Sequence, residues 1–432
     1  MPYYIQRGSI PHKRHIQFRR PDGALYSEEV FGTEGFVGPT STLYHMHPPT
    51  QVSGWKAMHA TTPEYVETDV LRMRHMLSWK LKAMGDPVSG RRVLLGNADV
   101  EMSLCQPAHG MDYHFKNAQG DECLFVHFGS GVVRTMFGTL RFGPRDFIVI
   151  PRGTIYAMEF DPLADDDRPA NATREEMPFG KFICFEAVNG SHILPPPRYI
   201  SKKTAQFLED APYCERDLRV PQEPLCHCPD PEERGSFEMR IKALNRMHRY
   251  DFDYHPLDVV GWDGCYYPYC FNADEFQPIV GMVHLPPPIH QVFEAHNFVI
   301  CAFCPRPLDF HPKAIPIPYN HSNIDSDEVM YYVQGEYKAR RGIGVGSISL
   351  HPLGIPHGPH PGTIEQSIGK THTDELAVMC DTFRPLMPTK EAILIDDPDY
   401  PESWKDEHFK RMLGRREALP NGLAHAVGTL QA

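Results

Sequence analysis

The sequence predicts an all-β protein of two barrels with few short helices. Dispersed prolines, short apolar runs and a scheme repeated in the two halves all point that way. The chain carries 42 prolines in 432 residues, about twice the ~5% average share. They are spread throughout, which suits short strands joined by rigid turns and works against long helices. Strand-like runs bounded by Gly, Pro and Asp recur from about residue 94 to 188 and again from about 259 to 394, as in a sandwich or barrel. Helical periodicity is confined to two candidates, residues 238–250 and 402–417.

Along the chain, an extended arm (residues 2–20) leads into the first β-rich half. That half contains His114-x2-Asn117-x4-Glu122-x6-Gly129, then Pro151-x-Gly153-x2-Tyr156. Residues 195–249, rich in Pro, charge and Cys, join the halves. The organisation expected is therefore an N-terminal domain with linker over 1–250 and a catalytic domain over 251–432. The second half repeats the scheme with different chemistry. Glu328 opens the apolar run Val329 to Val333, which stops at Gly335 and reads as a strand closed by a tight turn. A turn at Gly346, a short strand, Pro352-Leu-Gly354 and His357 follow.

His321, Glu328 and His357 thus stand at the ends of adjacent strands. Two imidazoles and one carboxylate can close one face of an octahedron around Fe(II) and leave three positions open for a substrate and O₂. In the first half Tyr156 stands where His357 stands. A tyrosine there packs a barrel and is a poor Fe(II) ligand. The N-terminal copy therefore reads as structural and lacking a metal site, with His114 and Glu122 as surface or turn residues.

Composition narrows the function. The net charge of −12 argues against nucleic acid or an acidic membrane surface as partner. The opening residues carry no apolar signal segment and no run approaches a membrane span, so a cytoplasmic protein is expected. Cys301 and Cys304 lie in an apolar run and read as buried strand cysteines. Cys226 and Cys228 sit in a Pro-rich loop.

The spacing His321-x-Asn323-x4-Glu328-x6-Gly335 with Gly346-x5-Pro352-x-Gly354-x2-His357 resembles the paired motifs of the cupin (jelly-roll) superfamily. Asn323 replaces that motif's second His, and Pro361 replaces its final Asn. The likeness then extends over most of the chain to the homogentisate 1,2-dioxygenases. Ala24 to Gly32, Leu43-Tyr44 with Pro48, and Asp258-Val-Val-Gly-Trp262 through Tyr269 resemble that family's opening and linker segments. Pro318-Tyr319, Gly335-x-Tyr337 and Pro356 to Pro359 resemble its catalytic segment. Pro-Pro-Pro-x-His-Gln at 286–291 matches a divergent bacterial branch.

The resemblance implies a non-haem Fe(II) enzyme that opens homogentisate with O₂ to maleylacetoacetate, in tyrosine and phenylalanine breakdown. It implies His321, Glu328 and His357 as iron ligands, Tyr337 as a substrate contact and a symmetric homo-oligomer. The family's catalytic His falls where this chain has prolines. His284 and His290 flank them as candidate bases, and His290 is favoured because Gln291, Phe293 and Glu294 surround it. His351, six residues before His357, is a candidate to support the ligands. Ring cleavage of gentisate or another hydroquinone, a Mn or Zn cupin isomerase or decarboxylase that does not use O₂, and a non-enzymatic bicupin remain alternatives.

Overall fold

The computed structural model describes residues 3–68, 70–169, 172–228, 230, 232–335 and 342–405. Tyr337 and most of the helix expected over 402–417 lie outside them. The described chain is nearly all β. Its α-helices are two single-turn pieces, Thr363–Ser367 and Lys390–Leu394.

Three stacked sheets carry the architecture. The central one has eight strands in the order Leu218–Arg219, Tyr269–Asn272, Asp146–Ile150, Glu122–Phe128, Lys181–Glu186, Glu101–Cys105, Arg92–Gly96 and Met387–Pro388. Both of its faces are covered, so its inner strands are apolar without alternation and buried along their length. The period of two still sorts their side chains. Leu124, Val126, Ile148 and Phe182 meet Phe115, Tyr156 and Met158 of a seven-stranded sheet, which closes the N-terminal jelly roll. Phe125, Phe147, Ile183 and Phe185 point the other way, into a core shared with Ile300, Val329, Tyr331 and Val378.

Those last residues belong to a six-stranded sheet ordered Gln291–Ala295, Phe298–Phe303, Leu376–Thr382, Asp327–Gln334, Ser347–His351 and Arg74–Leu77. One face packs on the central sheet. The other presents the alternate residues Glu328, Met330, Tyr332, Ala377, Met379 and Asp381 to a cavity. Gly335 ends the strand at φ +93°, where a Cβ would stand 2.8 Å from the Asp374 carbonyl oxygen, so only glycine fits the turn.

Strand pairing crosses the 250/251 division in both directions. Arg74–Leu77 completes the six-stranded sheet, while Tyr269–Asn272 and Met387–Pro388 pair within the central one. The helix expected over 238–250 is instead a hairpin, Phe237–Ala243 with Arg246–Phe252. Leu244 and Asn245 turn it at φ +53° each, the primed geometry that matches strand twist. The alternation of Met239, Ile241 and Ala243 prevails over the helical spacing of the charges.

Candidate metal centre

His321 and His357 come from loops far apart in sequence, joined by reciprocal backbone hydrogen bonds. Each amide donates to the other's carbonyl at 2.9 Å. This pairing sets both imidazoles beside Glu328, the second residue of its strand. The Asp327 carboxylate accepts from Leu353 N at 2.8 Å and Leu386 N at 2.7 Å, pinning the loop that leads to His357. Gly354 N donates to the Asn323 carbonyl at 2.7 Å. His321, Glu328 and His357 each offer a ligand atom, all within 4.8 Å of one another.

Tautomers and one orphaned atom test whether these residues fit a metal. A carbonyl only accepts, so the contacts of His357 Nδ1 to Ile355 O (3.1 Å) and of His321 Nδ1 to Tyr319 O (3.3 Å) place a proton on each Nδ1. Both Nε2 lone pairs then aim at Glu328 Oε2, each 3.6 Å away. His357 Nε2 is buried with no hydrogen-bond partner, an arrangement that costs stability unless a cation takes the lone pair. His351 Nδ1 donates to Glu328 Oε1 at 2.8 Å, and Tyr400 OH lies 3.5 Å from its Nε2. Its ring stacks on His357 at 4.5 Å. Burial alone would raise the Glu328 carboxyl, yet it is held well below the ordinary carboxylate range, and in these tautomers the hydrogen bond that does so comes from His351 Nδ1. The donor set fits a divalent metal, with a cavity on its open side.

That cavity has a volume of about 460 Å³, within the ~300–1,000 Å³ of small-molecule sites. Both candidate bases line it. His284 is partly exposed, with Nδ1 3.8 Å from Asp309 Oδ2 and its ring edge-on to Tyr319. His290 is 4% exposed; its Nδ1 has no hydrogen-bond partner and its ring lies 4.4 Å from Phe303. Burial, with Arg306 and His284 adding to it, pushes its pKa down to about 3. Gln291 and Glu294, expected to orient His290, hydrogen-bond to each other at 3.0 Å.

Sequence reasoning passed over two lining residues. Asp381 faces Glu328 across the strand pair, and its buried Oδ1 has no hydrogen-bond partner. Burial and the like charge of Glu328 raise its pKa to about 8, with His321 opposing. A lone acid inside the apolar strand Leu376–Thr382 was the available signal. Arg306, between two prolines, gave none.

The equivalent position in the first half is filled by the protein itself. Arg91 Nη1 donates to Glu122 Oε1 at 2.6 Å, Tyr156 OH to Oε2 at 2.7 Å and Asn117 Nδ2 to Oε1 at 3.1 Å. A guanidinium stands against the carboxylate where the other copy has imidazoles. The expectation of Glu122 as a surface or turn residue is corrected, since it is 0% exposed. His114 is half-buried, its ring 5.0 Å from that of His255.

Comparison with known proteins adds the family. The descriptions "Homogentisate 1,2-dioxygenase N-terminal" and "Homogentisate 1,2-dioxygenase C-terminal" match residues 215–273 and 272–411. A protein of Saccharolobus solfataricus, whose name proposes a dioxygenase without a substrate, is 36% identical over 94% of this chain and 99% of its own. The chain belongs to the homogentisate 1,2-dioxygenase family. A homogentisate 1,2-dioxygenase of Bradyrhizobium diazoefficiens is 27% identical over 92% of this chain and 90% of its own. Among solved structures, a cupin 2 conserved barrel domain protein from Leptotrichia buccalis matches at TM-score 0.27 and 9% identity. That match covers 76% of this chain and 98% of that one, a likeness too slight to argue from. Membership in the homogentisate dioxygenase family carries the reaction class, that of a dioxygenase. No helix among the described residues is long and apolar enough to cross a membrane.

Proposed function

We propose that the protein is a non-haem Fe(II) dioxygenase that opens the ring of homogentisate to maleylacetoacetate, with His321, Glu328 and His357 as iron ligands. The observation that carries this is the orphaned, buried His357 Nε2 beside the His321 lone pair and Glu328 Oε2. When bound, Fe(II) supplies Lewis acidity toward a phenol oxygen and the electron transfer that dioxygen chemistry needs.

The remaining roles fall to the chain. His351 fixes Glu328 Oε1 and leaves Oε2 turned toward the imidazoles. His284 takes a phenol proton. Its Nδ1 lies 3.8 Å from the Asp309 carboxylate, whereas burial and Arg306 push the His290 pKa down to about 3. Asp381 offers an acceptor to the second ring hydroxyl. Phe303, Met330 and Met379 supply the apolar walls against which a ring packs. Tyr337 is proposed as a further substrate contact.

Oxygen uptake by anaerobically Fe(II)-loaded protein given homogentisate tests the reading, with the ring-opened product followed by absorbance. Stoichiometric uptake, lost in His357→Ala together with bound iron, is the expected result. Turnover of gentisate or another hydroquinone alone would keep the chemistry and move the substrate. Bound iron with no uptake on any of them would sink the dioxygenase assignment and revive the isomerase or decarboxylase.

A further inference from the structure

The cavity holds a cation that the metal chemistry does not use. Arg306 lines it together with His284, His290, Glu328 and Asp381. Its backbone is fixed from both sides: Pro305 and Pro307 restrict the chain, and Arg306 pairs with Thr373 in a two-stranded ribbon. The guanidinium lies against the Phe303 ring, 6.0 Å from its centroid. Its Nη1 donates to the Cys304 carbonyl at 3.0 Å. Among the described residues no carboxylate comes within 4.0 Å of it, and its other N–H donors have no protein acceptor.

Other arginines of the protein meet a carboxylate directly, whereas among the described residues half-buried Arg92 donates only to Met84 Sδ and the Lys82 carbonyl. Arg91 has Glu122, and Arg72 and Arg74 share Asp396. A half-buried guanidinium without a counter-charge keeps donors free for an incoming acceptor. Burial pulls the Arg306 pKa below its usual value, with Glu375, Cys304 and Asp309 opposing only at longer range. Its planar fork suits a carboxylate, which accepts two parallel N–H···O bonds.

We infer that Arg306 is the anion subsite of this cavity, binding the side-chain carboxylate of an arylacetate whose ring hydroxyl is directed to the His321–Glu328–His357 centre. This rests on the ring-cleaving reading for the identity of the ring, but the charge preference stands on Arg306 itself. Arg306 then acts by substrate selection and positioning. Hydroquinones lacking an anionic side chain bind poorly, because they leave the guanidinium unsatisfied and desolvated.

The test is calorimetric binding to the full-length, Fe(II)-loaded protein under strict anaerobiosis. The ligands are homogentisate and its primary amide, 2,5-dihydroxyphenylacetamide. Wild type is expected to prefer the acid by roughly 10–100-fold, the range of a charge-assisted pair. Arg306→Gln should bring the two ligands to within about threefold of each other, and Arg306→Lys should retain part of the preference. Aerobic kinetics should show the loss in KM for the acid, with kcat changed far less. An acid preference that survives in Arg306→Gln, or that is absent from wild type, overturns the proposal; the wild-type comparison does not depend on any variant folding. An Arg306-dependent preference without oxygen uptake would uphold the anion subsite and remove the ring-cleavage reading. Uptake with equal use of acid and amide would do the reverse.

Discussion

Replacing Arg91 by Met puts the closed N-terminal copy to a quantitative test. The Glu122 side chain is 0% exposed and that of Arg91 10%, so solvent offers neither charge much relief. Taking the guanidinium away leaves a buried carboxylate with the Tyr156 hydroxyl at 2.7 Å and the Asn117 amide at 3.1 Å as its remaining donors. Breaking a buried ion pair from one side costs about 3–5 kcal/mol. The two surviving hydrogen bonds and the methionine stem, which keeps most of the arginine's packing, put the expected loss near the lower end, about 3 kcal/mol. Adding Glu122→Gln removes the stranded charge, and the double variant should recover about 2 kcal/mol relative to the sum of the singles. Urea unfolding followed by tryptophan fluorescence measures all four proteins. A loss below about 1 kcal/mol in Arg91→Met, or strict additivity in the double variant, would show that the guanidinium is an incidental neighbour of Glu122.

Two further outcomes are expected. His45 is buried between Asp258 Oδ1 (2.8 Å) and Glu29 Oε2 (2.9 Å); burial pulls its pKa down, but the two carboxylates outweigh it and raise it to about 9. The folded pKa lies above the unfolded ~6.5, so its contribution is complete below about pH 6.5 and is lost as pH rises through about 9. Stability of wild type relative to His45→Gln should therefore fall by about 3 kcal/mol across that window, and a flat difference would refute the protonated assignment. His351→Gln should weaken Fe(II) affinity by roughly 10–100-fold in a chelator competition while leaving a site that still binds, since His351 orients Glu328 without itself ligating. Wild-type affinity in that variant would detach His351 from the centre.

The grouping of His321, Glu328 and His357 was legible because its spacing is dictated locally. Gly335 can only be glycine, Glu328 begins the strand that this turn closes, and His357 follows a second turn of the same kind. The backbone pairing of His321 with His357 could not be read in advance, but the motif did not require it. Other features depend on partners distant in sequence. Glu122 was misplaced because Arg91, which neutralises it, lies 31 residues upstream, outside the repeated segment. The hairpin at 237–252 was mistaken for a helix because charged residues at helical spacing masked an alternation that only half-buries its apolar side. The division at 250/251 follows composition, whereas sheets are built by pairing, and Arg74–Leu77 reaches across more than 250 residues to find Ser347–His351. Arg306 and Asp381 gain their meaning from the cavity they line, which no local pattern encodes.

The layered sheets also set the two copies of the repeat in different surroundings. Glu122 and Tyr156 sit in the N-terminal jelly roll, where both are 0% exposed. Their partners are the Arg91 guanidinium and the Asn117 amide, which fill the place beside the carboxylate. Glu328 occupies the corresponding strand position in the six-stranded sheet, but its face is turned away from the central layer. It is covered by the loops that carry His284, His290 and His321, and between sheet and loops lies a cavity of about 460 Å³. In a closed copy an orphaned Nε2 would be a liability with no ligand to relieve it, and the structure supplies a fixed internal cation instead. In the open copy the proposed function gives each of these groups an exogenous partner: a metal for His357 Nε2 and an anion for Arg306.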